Sequence, residues 1–132
     1  MATQAPQPPQ GMHDHLPDAY RQRLALADRI RAVYAKYGYA PIETPAMERI
    51  EILKGSGGGE NEKMMYEVLK RGEKLAEAQG GLSDHALRFD LTVPLARFYA
   101  THRASLPPVF RCQHVGPVWR ADRPQKGRFR EF

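Results

Sequence analysis

Cysteine is nearly absent: the 132-residue chain holds one, Cys112. A lone cysteine excludes an internal disulfide and any zinc site built on several thiolates. Long apolar runs are missing too, and none approaches the ~18 residues a membrane-spanning helix needs. Residues 1–10, MATQAPQPPQ, carry no positive charge and no apolar centre, so they are neither a secretion signal nor a transit peptide. The run Gly55-Ser-Gly-Gly-Gly59 lacks the Gly-Lys-Ser/Thr ending of a phosphate-binding loop, and the nearby Lys63 follows no glycine. A flexible loop is expected there instead. These absences leave a cytoplasmic protein with no membrane partner as the expectation.

What is present suits a soluble globular chain: 42% hydrophobic and 27% charged residues. The length fits one domain, in which folding hides roughly two-thirds of the unfolded surface. Charge is unevenly spread. Lys+Arg 20 exceed Asp+Glu 15, a formal net charge of +5. Residues 1–85 hold 11 basic and 12 acidic side chains, whereas residues 86–132 hold 9 and 3. Most of the excess lies in Arg120, Arg123, Lys126, Arg128 and Arg130, offset by Asp122 and Glu131. A basic C-terminal third points to a polyanionic partner, nucleotide phosphates or nucleic acid, with a solvated basic face as the plainer alternative.

Residues 1–10 form a Pro/Gln-rich tail with nothing to bury, expected to be disordered. From Asp18 to Tyr37, Tyr20, Leu24, Ala27, Ile30, Tyr34 and Tyr37 recur at spacings of four and three, one face of a helix. Asp18 is predicted to cap it and Gly38 to end it. That aromatic face is either core or a dimer interface. Residues 39–45 read as a short strand whose two prolines confine it to an edge or an interface, and 46–54 as a short helix closed by Gly55. Strands are predicted over 64–69 and 85–89, with a turn at 70–73 and a polar insertion at 74–84. Thr92 is predicted to cap a helix with Pro94 in its first turn and Leu95, Phe98 and Tyr99 on its inner face. Extended segments follow at 108–112 and 116–120, then a turn over 122–127 and a last segment, 128–132. Helix first and strands in sequence predict an α+β fold with an antiparallel β-sheet flanked by helices. The chain stops on a strand pattern without a closing helix, so a fragment of a longer protein is expected.

The chemistry concentrates in Val118-Trp-Arg-Ala-Asp122, the turn, and Arg128-Phe-Arg-Glu-Phe132. In a hairpin, Arg120 and Arg128 would face one pocket, where two guanidinium groups suit a polyphosphate. Phe132 offers a face for a purine, and the Arg-Pro-Gln-Lys-Gly turn a mobile basic element. Arginines that simply line an exposed hairpin are the structural alternative.

This hairpin resembles the second signature motif of class II aminoacyl-tRNA synthetases, an aromatic-Arg-x-acidic strand followed by Arg-x-x-x-Phe. The helix ending at Gly38-Tyr39 and the strand ending at Pro45 resemble their first motif, which builds a dimer interface. Further stretches narrow the resemblance to the histidyl-tRNA synthetase family: Gly11-Met-His-Asp-His-Leu-Pro17, with His13 where arginine is common; Leu87-Arg-Phe-Asp-Leu-Thr-Val-Pro94; and Gly116 through Phe132. The likeness runs over residues 11–132 and is weakest over 55–84. It implies the N-terminal portion of a class II catalytic domain, an incomplete one. The third class II motif, the imidazole-recognising motifs and the anticodon-binding domain are absent from these 132 residues.

The resemblance implies roles residue by residue. Asp90 would hold the α-ammonium of histidine, assisted by Thr92, with Leu91 between them; an extended backbone would put Asp90 and Thr92 on one side. Arg120 would be the catalytic residue, bridging the histidine carboxylate and the α-phosphate of ATP. Asp122 would anchor the adenine end, Arg128 the far phosphates and Phe132 the adenine face. Mg²⁺ would accompany ATP. Gln125 and Lys126 are candidates for the acceptor end of tRNA(His), and the 18–45 helix and strand for a homodimer contact.

Histidine–tRNA ligation in translation by the parent chain is the function so implied, with the fragment alone inactive or weak. Two alternatives stand beside it. One is the regulatory paralogue of ATP phosphoribosyltransferase, which shares the fold but usually lacks an intact ATP-binding hairpin. The other is a non-catalytic dimerisation or RNA-binding module. His13-x-His15 supplies half a metal site at most, and no metal site is expected. Cys112 reads as a packing residue rather than a nucleophile, and no role is assigned to His114.

Overall fold

A computed structural model describes residues 5–55, 59–77 and 80–132, without the side chains of 60 and 61. Helix α1, Pro17–Lys36, leads into strand β1, Ala40–Ile42, and strand β2, Met47–Arg49. Short helices α2, Ile50–Lys54, and α3, Glu60–Met64, precede strand β3, Tyr66–Leu69. One helical turn, α4, Glu73–Ala76, precedes strand β4, Ser83–Leu87. Helix α5, Thr92–His102, runs into a 3₁₀ turn, Arg103–Ser105, and strand β5, Cys112–His114, follows.

The α+β class holds. An antiparallel sheet of order β2-β4-β3 lies beside a two-stranded pair, β1-β5. β4 is central: Leu87 faces Met47 and Tyr66, and Ala86 faces Glu48 and Glu67. The β1-β5 pair is parallel, with Ala40 opposite Cys112 and Ile42 opposite His114, a feature not anticipated from hairpin-like connections. Both strands of that pair are edges, so Pro41 without its N–H is tolerated there. The core is small. Leu53, Met65, Ala86 and Phe89 are buried together, with Ile50, Met64 and Val93 packed against them.

Local differences from expectation have local causes. Pro17 takes the first helical position of α1, so Asp18 sits inside the first turn, paired with Arg21, rather than at the cap. Gly38 does terminate α1, with φ +75, the left-handed geometry a helix end favours. Met47–Arg49, read as helical, is a strand because β4 offers it a partner across the chain. Tyr99 points outward, at 42% exposure, while Pro94 is fully buried. At α5 the capping bond comes from Asp90, whose Oδ1 accepts the Val93 N–H at 3.2 Å; Thr92 is already helical. The glycine-rich loop at 56–58, residues 78–79 of the expected insertion and residues 1–4 of the tail lie outside the described residues.

The surface is large for the chain. Its accessible area is 10546 Å², whereas a compact monomer of 15.0 kDa has about 7,000 Å². Helix α1 contributes much of the excess: none of its residues is buried, and Tyr20, Leu24, Ile30 and Tyr34 are all exposed.

Beneath α5 one ion pair stands out. Glu48, with its side chain 5% exposed, accepts from Arg97 Nε at 2.8 Å and from Nη2 at 2.8 Å. Replacing Arg97 with Met strands the Glu48 carboxylate. We expect a loss of about 2 kcal/mol, between a surface and a fully buried pair, because Arg97 keeps partial contact with water. Urea unfolding of Arg97→Met, Glu48→Leu and the double variant tests this: the double variant should recover most of the loss.

Candidate functional site

The hairpin forms as the arginine spacing implied. Val118 N–H donates to Phe132 O at 2.9 Å, Arg120 N–H to Arg130 O at 2.8 Å, and Gln125 and Arg128 pair across the tip. Gly127, at φ +76, makes that tip. The opening segment lies on the hairpin. Arg130 N–H donates to Gly11 O at 2.7 Å, and its Nε donates to Asp122 O at 2.9 Å. A Cβ on Gly11 would lie 2.9 Å from Arg130 Cγ, so the close approach needs glycine.

The hairpin also docks on the segment after β4. Trp119 N–H donates to Arg88 O at 3.0 Å, and Arg120 Nε to Phe89 O at 3.0 Å. Phe89 directly precedes Asp90, so these contacts bring Arg120 beside the segment 90–92. Arg120 Cζ lies 5.2 Å from the centroid of the Phe132 ring, a cation–π contact. Arg120, Gly127, Arg128, Phe129 and Phe132 line a cavity of about 200 Å³.

Some expected residues are placed differently. Asp122 does not line that cavity; its Oδ2 accepts from Arg128 Nη2 at 2.6 Å. The pair is partly exposed, worth about 0–1 kcal/mol, so phosphate oxygens compete readily for Arg128. Leu91 has φ −104 and ψ −5. The backbone is therefore not extended there, and the same-side argument for Asp90 and Thr92 fails. Thr92 is exposed, and Gln125 and Lys126 sit exposed at the hairpin tip. The rings of His13 and His15 lie 4.5 Å apart. Among the described residues no three His, Cys, Asp or Glu side chains converge on a metal position.

Sequence reasoning missed Arg88. It is 4% exposed, and its Nε donates to Pro117 O at 2.9 Å. Its Nη1 donates to Thr44 O at 2.8 Å, to Thr44 Oγ1 at 3.2 Å and to Pro45 O at 3.3 Å. Burial lowers its pKa, opposed by the charges of Glu43 and Glu48. Thr44 and Gly116 each precede proline, which favours extended backbone and steadies the carbonyls Arg88 meets. The available signal was a charged residue inside the apolar run Ala86–Phe89. His114 belongs to the same network, its Nε2 lying 3.1 Å from Thr44 Oγ1. Burial first, then the charge of Arg88, push its pKa down, against smaller opposing effects of the Leu91 carbonyl and Glu43. Burial pushes the Cys112 thiol up, which suits a packing residue.

Residues 11–132 match the family model described as histidyl-tRNA synthetase. A histidine–tRNA ligase of Leifsonia xyli is 49% identical over 133 residues, covering 95% of this chain and 31% of that protein. The crystal structure of histidyl-tRNA synthetase from Nostoc sp. superposes with TM-score 0.77 at 36% identity, over 96% of this chain and 26% of that one. An ATP phosphoribosyltransferase regulatory subunit/histidyl-tRNA synthetase from Bacillus halodurans superposes with TM-score 0.75 at 27% identity, over 96% and 30% of the two chains. The chain thus spans about a third of the length of the curated relatives it matches.

His114 generates a pH test. Its folded pKa lies below the ordinary 6.5, so the unfolded chain takes up that proton first. Stability from this site is full above that value and is lost as the pH falls below it. Between about pH 7.5 and about pH 5.5 the urea midpoint of the wild type should fall more steeply than that of His114→Gln. Equal slopes would contradict the assignment.

Proposed function

This chain belongs to the histidyl-tRNA synthetase family, and we propose that it supplies the ATP-facing and α-amino-facing part of a histidine–tRNA ligase. The observation that carries the reading is the shared cavity of Arg120, Arg128 and Phe132, tied through Phe89 to the segment bearing Asp90. In this reading residues 11–132 are the N-terminal portion of the catalytic domain. Histidine activation begins when a carboxylate oxygen attacks the α-phosphorus of ATP and pyrophosphate leaves. The histidyl acyl group of that adenylate then passes to a hydroxyl of the terminal ribose of tRNA(His), and AMP leaves.

Each chain residue acts by position and charge. Arg120, anchored through Nε, keeps its Nη donors for the histidine carboxylate and the α-phosphate, where charge builds during attack. Asp90 spends Oδ1 on the Val93 N–H and keeps Oδ2 for the α-ammonium, with Thr92 and Leu91 beside it. Arg128 exchanges Asp122 for the far phosphates, and the freed Asp122 turns to the adenine end. Phe132, 44% exposed, offers adenine an open ring face. Mg²⁺ would accompany ATP and neutralise charge on its phosphates. Gln125 and Lys126 meet the acceptor end.

The exposed apolar face of α1, with the strand after it, is proposed to meet a second copy of the chain. No described helix is long and apolar enough to cross a membrane, and a cytoplasmic place is proposed. The Bacillus halodurans likeness keeps the regulatory paralogue as a second reading. The presence of Arg120, Arg128 and Phe132 around one cavity favours the ligase.

Titration calorimetry with ATP and Mg²⁺ tests the reading. The wild type should bind, and Arg120→Ala should weaken binding by about 10- to 100-fold, the worth of a charge-assisted hydrogen bond. No binding by a folded wild type would overturn it. The 132-residue chain, about a third of its relatives' length, should adenylate histidine weakly or not at all. Near-enzyme rates from the chain alone would contradict that part.

A further inference from the structure

The groups facing the proposed nucleotide hang on two adjacent carbonyls. Arg88 O accepts the Trp119 N–H, and Phe89 O accepts Arg120 Nε. The Arg88 side chain then turns to the same incoming strand and grips it a second time, donating from Nε to Pro117 O at 2.9 Å. Main chain and side chain of one residue thus bracket Val118, itself buried. Two attachment points fix both the position and the rotation of the strand that carries Arg120. The far end of the guanidinium is anchored across the sheet to Thr44 and Pro45, between β1 and β2.

Gly116 completes the fit. A Cβ built there would collide with Arg88 Nη2. Gly116 does not have positive φ, so what opposes alanine there is the space the guanidinium occupies. Glycine is required for the room it leaves to the guanidinium.

We infer that Arg88 is a positioning residue that sets where the Arg120 guanidinium lies, and that Gly116 leaves the space in which it does so. Arg88 touches neither nucleotide nor histidine in this scheme; it acts through the Pro117–Arg120 strand. The inference rests on the proposed nucleotide site for its functional consequence, but its geometric claim is readable without ligand.

The test uses the 132-residue chain and ¹H–¹⁵N spectra that resolve arginine Nε–H groups. In the wild type, Arg88 Nε–H and Arg120 Nε–H should both be protected from exchange. An unprotected Arg88 Nε–H overturns the inference without any variant. In Gly116→Ala, which keeps every charge, Arg120 Nε–H should exchange about tenfold faster while the β3–β4 amides stay protected. Arg88→Lys, with a compact ammonium in place of the fork, should behave likewise. ATP affinity should fall by about tenfold in both variants, as misplaced binding groups do. A merely structural role would lower the urea midpoint and leave the Arg120 signal of the folded chain unmoved, which would overturn the inference. Faster Arg120 exchange with unchanged ATP affinity would overturn it too. Faster exchange in a chain whose wild type binds no ATP would support the positioning role and remove the nucleotide reading instead.

Discussion

A buried guanidinium has to be satisfied, and the arrangement of this chain follows from how Arg88 is satisfied. Removing a charge from water costs several kcal/mol unless fixed dipoles replace the lost hydration. Here the replacements are backbone carbonyls from Thr44, Pro45 and Pro117, three points on two distant segments. Glu43 and Glu48 add favourable field without direct bonds. The chain therefore brings residues 44–45, 88 and 116–117 together, and the hairpin is launched from that junction.

Away from that junction much of the apolar surface stays exposed. The antiparallel sheet, α2 and α5 close a small core around Ala86 and Phe89. Beyond it, α1 holds its apolar face to solvent, and the accessible area exceeds that of a compact monomer of this mass. The Glu48–Arg97 pair and the Arg88 network are dense polar contacts beside that core, and they fix which segments meet. The proposed site lies beside the Arg88 network.

Much of this was legible in the sequence, for reasons that differ by residue. Periodicity revealed α1, and Gly38 marked its end, because both are local properties of the chain. The hairpin was legible from Trp119 to Phe132 because a turn-forming stretch separates two arginine-bearing segments, and the family resemblance narrowed its chemistry. Met47–Arg49 was misread because a strand of three residues is defined by its partner, and Leu87 lies far along the chain. The parallel β1-β5 pair was hidden for the same reason. Thr92 was the obvious cap by composition, yet Asp90 makes the bond. Arg88 escaped because charge predicts exposure, and its burial depends on carbonyls that only the folded chain collects.

In the proposed site this frame presents Arg120 and Phe132 to one nucleotide. Photolabelling the chain with 8-azido-ATP and Mg²⁺, then mapping the modified peptide, tests that most directly. The expected result is a single label on the Phe129–Phe132 segment, lost when excess ATP competes. A label spread over α1, or one that ATP does not displace, would contradict the claim.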